Sequence, residues 1–187
     1  MNPQDLEFPD QFESQRLLIR CPRPGDGQRV YEAVCETLTE LRAWPASLPW
    51  AMFEPSVDAS ENYCRQGHEA FAARRDLPLL LFLKGTDVLV GASGLHRMDW
   101  LEHRFEVGYW CRRSMQGQGH ITEAVRAIAA FAENTLAARR VECFTDVRNV
   151  ASRRVAERAG FVLESIHTRV SPQGGDNQAC DYACLVR

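Results

Sequence analysis

One stretch constrains the fold more than any other, because its hydrophobic period changes within a few residues. From Arg104 to Cys111 the side chains alternate, with Phe105, Val107 and Tyr109 on one side and Glu106, Gly108 and Trp110 on the other, the two-residue period of a strand. From 119 to 136 apolar residues recur at Ile121, Val125, Ile128, Ala132 and Leu136, the spacing of one helical face. The join carries Gln116-Gly117-Gln118-Gly119. Glycine accepts positive φ and lets a ligand come close to the backbone. Free N–H groups converge at a helix N-terminus, where the dipole also favours an anion. The stretch therefore predicts a strand–loop–helix unit able to cradle phosphate. It matches neither GxxxxGK[ST] nor GxGxxG, since Thr122 stands where the last glycine would fall. Taken alone, the loop fits a plain turn equally well.

The rest of the chain reads as one mixed α/β domain over residues 1–187, with 1–15 a loose polar lead-in. Arg16 to Cys21 reads as a strand ended by Pro22 and Pro24, and residues 25–38 as a helix. Residues 40–55 form a loop rich in aromatics and proline, and 56–75 a second helix capped by Ser56 or Asp58. Leu77 to Leu83 is a continuous apolar run, which suits a strand covered on both faces. After a Gly85-Thr86-Asp87 turn, Val88 to Leu95 completes a hairpin. Val141 to Val147 is a strand, and 150–159 is a short helix stopped by Gly160. Phe161 to Val170 and Tyr182 to Val186 are closing strands around Gly174-Gly175.

The totals narrow the function. A formal net charge of −3 gives no support to nucleic-acid binding. No apolar run reaches the ~20 residues of a membrane helix, and the N-terminus lacks the basic-then-apolar order of a signal peptide. The seven cysteines include no CxxC pair and the five histidines no HExxH, so the reading includes no metal. It is that of a cytoplasmic protein whose cysteines are mostly small buried hydrophobes. Oligomeric state is left open, and a homodimer is compatible with it.

Five segments, taken in order, carry a family resemblance. They are Gln15-Arg-Leu-Leu-Ile-Arg20, Leu41-Arg-Ala-Trp44, Gln116-x-x-Gly119 after a strand with Glu106 and Tyr109, Asn149-x-x-Ser152-x-x-Val155-Ala-Glu-Arg-Ala-Gly160-Phe161, and Asp181-Tyr-Ala. The set resembles the GNAT acetyltransferases, and within them the RimJ/RimL-type protein N-terminal acetyltransferases. The resemblance implies a single-domain α/β fold, with a mixed, mostly antiparallel sheet flanked by helices on both faces. It implies acetyl-CoA as donor and CoA as product. The acceptor would be a primary amine, of a protein N-terminus or a small molecule, attacking directly in a ternary complex.

The resemblance also distributes roles. Val107, Tyr109, Trp110 and Cys111 would offer backbone groups to the pantetheine arm, with one N–H for the developing oxyanion. Gln116, Gly117, Gln118, Gly119, His120, Ile121 and Thr122 would surround the pyrophosphate, although Ile121 is larger than the residue common there and would narrow the approach. Asn149 would touch the pantetheine arm besides capping its helix. Glu106 is the first candidate for the base, acting through water. Many relatives have a tyrosine seven residues after this asparagine, where this chain has Ala156. Ser152, one turn earlier, is then the candidate donor to the thiol sulfur, and otherwise an unaided thiolate leaves. Cys143 reads as a buried hydrophobe near the thiol, and Tyr109 and Trp110 as core and wall. Trp44, Trp50 and Phe53 could line the acceptor site, and core packing would suit them equally well. Two other functions compete: a non-catalytic acyl-CoA sensor, and a nucleotide-binding protein of another class, which the missing nucleotide motifs disfavour.

Overall fold

The computed structural model describes residues 6–170 and 176–185. Its elements are β1 (Gln11–Glu13), β2 (Leu17–Arg20), α1 (Gly27–Arg42), a 3-10 turn at Pro49–Met52, α2 (Val57–Ala72), β3 (Leu77–Leu83), β4 (Leu89–Asp99), β5 (Arg104–Cys111), a second 3-10 turn at Arg113–Met115, α3 (His120–Leu136), β6 (Arg140–Asp146), α4 (Val150–Ala159), β7 (Val162–Val170) and β8 (Asp176–Leu185). The expected order is present, with one strand added at the start. The lead-in is not loose throughout. Gln11–Glu13 pairs with β2, Phe12 stacks on Phe131 at 4.5 Å, and Phe8 packs edge-on against Phe71 and Phe131. Two aromatics thus hold a segment too short to show a period. β8 also starts earlier than expected, and Gly174, Gly175 and Val186 lie outside the described residues.

The eight strands lie in the order β1-β2-β3-β4-β5-β6-β8-β7. Every pairing is antiparallel except β5 with β6. The apolar run of β3 shows why the sheet needs cover on both sides. Leu77, Leu79 and Leu81 enter one core with Leu95, Phe105, Val107 and the α3 residues Ile121, Val125 and Ile128. Leu80 and Phe82 enter a second core with Val30, Ala33 and Val34 of α1 and Cys64 of α2. We call the first the α3 face and the second the α1 face. Trimming a fully buried leucine such as Leu95 to alanine would cost about 2–5 kcal/mol.

The parallel pairing joins Arg104–Glu106 only to Arg140–Glu142. Beyond Glu106 the two strands no longer pair, and a gap opens in the middle of the sheet. Strand direction fixes what lines it. Arg112 N–H donates to Val90 O, and Ser93 Oγ donates to Gly108 O, so even-numbered residues here turn their backbone groups toward β4. Val107, Tyr109 and Cys111 therefore turn theirs toward the gap.

Candidate active site

The phosphate loop is built as its sequence demands. Gly117 (φ 72°) and Gly119 (φ 77°) are both left-handed, and Gly119 is the N-cap of α3. A Cβ on Gly117 would meet nothing within 4 Å, and on Gly119 only the Arg16 guanidinium at 3.6 Å. The space beside the free helical N–H groups is open, as a pyrophosphate requires. The segment before it is pinned to α1. Glu36 accepts from Arg112 Nε and Ser114 N–H, and Thr37 Oγ1 accepts from Arg113 N–H. Partial burial opposes its ionisation, but the Ser114 and Arg112 hydrogen bonds prevail and hold the Glu36 carboxyl at about 2.

The loop's side chains depart from expectation in one respect. Ile121 is 6 % exposed and packs in the core with Ala124 and Val125, so it does not narrow the approach. The first turn of α3 directs that position at the sheet, in line with its place on the apolar helical face. His120 is also buried, and burial, with Arg16 nearby, lowers its pKa and keeps it neutral. Gln116 and Gln118 are exposed, and Gln118 Nε2 donates to Ser114 O.

Arg16 is a feature the sequence reading missed. Its Nε and backbone N–H donate to Glu123 in the first turn of α3, and its Nη1 donates to Gln118 O. With Thr122, Arg126 and Arg158 it borders a groove of about 640 Å³ running past Gly119. No local pattern announces this, since Arg16 and Glu123 are far apart in the chain.

On the α3 face, three side chains meet across the gap. Tyr109 OH donates to the carbonyl of Ser152 at 2.8 Å and lies 3.3 Å from Ser152 Oγ, while Cys143 Sγ lies 3.5 Å from the same phenol. Asn149 Oδ1 caps α4 by accepting from Ser152 N–H at 3.0 Å. Ala156, where a tyrosine was sought, is fully buried. A tyrosine hydroxyl nevertheless reaches the first turn of α4, supplied by β5. Tyr109 packs against the core, as the reading of it as core and wall expects, and its hydroxyl adds a polar contact to α4. Burial pushes the Tyr109 phenol up and the Cys143 thiol up to about 11, so both stay protonated. From behind, Tyr182 OH donates to Glu157 and accepts from Arg153 Nε, which ties α4 to β8.

The α1 face of the same gap is charged. Glu106 is 9 % exposed, and Arg97 donates to both its oxygens through Nε and Nη2. Simple alternation would send Arg97 to the opposite face from His96. The register of β4 and β5 instead shifts between His96 and Asp99, and Arg97 is left-handed (φ 45°). A non-glycine residue there costs of order 1 kcal/mol, a strain concentrated at functional sites. Beside this pair, His96 Nδ1 lies 2.8 Å from Asp76 Oδ1 and 3.0 Å from Oδ2. A hollow of about 290 Å³ is bordered by Arg97, Arg104, Phe105, Glu106, Glu142 and Phe144, and Glu142 accepts from Arg140 Nε. Of the expected acceptor aromatics, Trp50 stands 6.2 Å from Trp110 and is exposed, as is Phe53. Trp44 stays in the turn after α1, where its carbonyl accepts from Ser47 and Leu48 N–H.

The site thus has an open helix N-terminus flanked by two left-handed glycines, an unpaired strand edge leading away from it, and different chemistry on each side of that edge. An acetyltransferase (GNAT) domain model matches residues 16–162. The ribosomal-protein-serine acetyltransferase of Escherichia coli (strain K12) is 31 % identical over 151 residues, covering 81 % of this chain and 82 % of that one. In fold, the chain is similar to the microcin C7 self-immunity acetyltransferase MccE in complex with acetyl-CoA and AMP, with a TM-score of 0.84 at 18 % identity over 96 % of this chain and 98 % of that one. It is likewise similar to RimL, the ribosomal L7/L12 α-N-protein acetyltransferase, in complex with coenzyme A, with a TM-score of 0.80 at 20 % identity over 92 % and 96 %. The chain belongs to the GNAT acetyltransferases and is an N-acetyltransferase that uses acetyl-CoA.

Proposed function

We propose that the chain transfers acetyl to the α-amine of a protein N-terminus. The observation that carries this reading is the open α1 face, where a hollow bordered by the Arg97–Glu106 pair, Arg104 and Glu142 offers charged groups of both signs. An extended peptide end carrying an ammonium group suits such a surface better than a closed pocket would. The name of the relative from Escherichia coli, a ribosomal-protein-serine acetyltransferase, supports the same acceptor class. A reducing compartment, the cytoplasm, is in keeping with the free thiols of Cys111 and Cys143 beside the gap.

Acetyl-CoA supplies an activated acetyl thioester, and the chain's residues do the rest. Gly117, Gly119 and the first turn of α3 would hold the pyrophosphate, with Arg16, Arg126 and Arg158 beside it. The gap-facing backbone groups of Val107, Tyr109 and Cys111 would bind the pantetheine amides, with Trp110 beside them. The hydroxyls of Tyr109 and Ser152 would face the departing sulfur. Glu106, with both oxygens engaged by Arg97, would border the acceptor amine.

The test is thiol release from acetyl-CoA with peptides of varied first residue, set against small amines. Turnover on peptides with a free α-amine, lost when that amine is blocked, is the expected result. Tight CoA binding without turnover on any amine would instead establish a sensor.

A further inference from the structure

An amine attacks a thioester only after losing a proton, and Glu106 is poorly placed to take it while Arg97 covers both carboxylate oxygens. A second group lies on the same face. His96 is cross-strand partner to Glu106, and its Nδ1 is held by Asp76 at the start of β3. A carboxylate there accepts the Nδ1 proton, which leaves the lone pair of the neutral ring on Nε2. The ring lies over the Gly94–Gly108 pair. A Cβ on Gly94 would come within 2.8 Å of Cε1 and 2.9 Å of Nε2, and one on Gly108 within 3.4 Å of Cδ2. The two glycines thus make a seat that brings Nε2 within 3.7 Å of where a Cβ on Gly108 of β5 would stand, and the chain neighbours of Gly108, Val107 and Tyr109, turn their backbone groups to the gap. Trp110, opposite Ala92 two positions along, flanks this seat on one side, and Glu106 flanks it on the other. His96 is 32 % exposed, so a ligand can reach it.

Granting the acetyl-transfer reading, we propose that His96 is the base that takes the proton from the acceptor amine, and that Asp76 is its positioning residue. The ammonium gives one proton to Nε2. The freed nitrogen lone pair forms the C–N bond as the C–S bond breaks, and the electron pair of that bond leaves on sulfur. The thiolate takes up the second amine proton, and the imidazolium returns the first to solvent. Base and leaving group are then served from opposite faces, His96 from the α1 face and Tyr109 with Ser152 from the α3 face. The charged and titratable groups around His96 are Asp76, Arg97 and Glu106, with Tyr63 of α2 beyond Asp76.

The experiment compares wild type with H96Q, D76N and E106Q, using acetyl-CoA and an acceptor peptide across pH. H96Q is expected to lose on the order of 10²–10³-fold in kcat and to lose the acidic limb of the kcat/KM profile, while CoA affinity and melting temperature stay unchanged. D76N shifts that limb, which a merely structural role would not do, and E106Q keeps it while raising KM for the peptide. Ethoxyformylation of His96 by diethyl pyrocarbonate, mapped by mass spectrometry, is slowed by the peptide; it keeps the assignment testable if H96Q fails to fold. Wild-type kcat with an unchanged limb in folded H96Q, or labelling indifferent to peptide, overturns the assignment and leaves acetyl transfer standing. No turnover by wild type on any amine overturns both.

Discussion

The two faces of β5 differ in kind, although alternate residues of one strand supply both. On the α3 face Tyr109, Ser152 and Cys143 form a cluster with no formal charge, under a phenol that burial keeps protonated. On the α1 face Glu106, Arg97, His96 and Asp76 are charged or titratable, and the glycine pair leaves them room. The contrast follows from what each face would have to do. A thiolate is a tolerable leaving group and needs only a hydrogen bond, whereas an amine arrives as an ammonium ion and must be attracted and then deprotonated.

The contrast breaks first if the donor does not lie against α3. Gly119→Glu sets a negative charge beside the proposed phosphates, where like charges ~4 Å apart repel by about 4 kcal/mol at an effective dielectric near 20 before salt screening, so CoA affinity should fall at least on the order of 100-fold. Isothermal titration of the folded variant checks it, and unchanged affinity would move the phosphates elsewhere. Next in size is Tyr109→Phe, which removes one hydrogen bond of about 1 kcal/mol and so should lower kcat between five- and about tenfold with CoA affinity intact. Adding Ser152→Ala to Tyr109→Phe should cost little more, because the two hydroxyls share one network. Additive losses in steady-state kinetics would show that they act separately.

The other face is sharpened by Trp50→Ala, expected to raise KM for the peptide about fivefold, in line with an aromatic contact of ~1 kcal/mol. A change in KM for acetyl-CoA instead would assign Trp50 to the wrong side. The smallest effect concerns the anchor of the phosphate loop. The folded-state pKa of Glu36 is depressed, so its contribution is present above the ordinary carboxylate range and is lost as pH falls through about 2. Glu36→Gln should weaken CoA binding about threefold at neutral pH, where a single partly exposed ionic hydrogen bond is lost, and should remove the wild type's part of this acid sensitivity in a thermal melt.

The sequence discloses what is local. The change of period around Gln116–Gly119 needs no distant partner, and the apolar run of β3 is readable because each residue enters one of two cores. Asn149 is visible as a cap because its partner is three residues away. What stays hidden depends on register or on a bulge. Asp76 meets His96 because Leu77 pairs with Leu95, and Arg97 turns onto Glu106 because β4 slips its register there. A tyrosine hydroxyl beside α4 was sought on that helix, where the family pattern puts it, and Tyr109 brings one there from β5. The family pattern assigns Ile121 to the loop, although its spacing with Val125 and Ile128 already puts it on the buried helical face.

The stretch of β5 beyond Glu106 is a sheet edge in the interior of the sheet rather than at its rim. Such an edge is a docking template for any extended chain bearing amides, including another copy of a partly opened protein. On the proposed reading a pantetheine arm would fill it with amides of its own, so the donor would also be a surrogate strand that completes the sheet. Stability and resistance to self-association should therefore track the supply of CoA, rising with its concentration by mass action, and light scattering during a thermal ramp with and without CoA would read this directly.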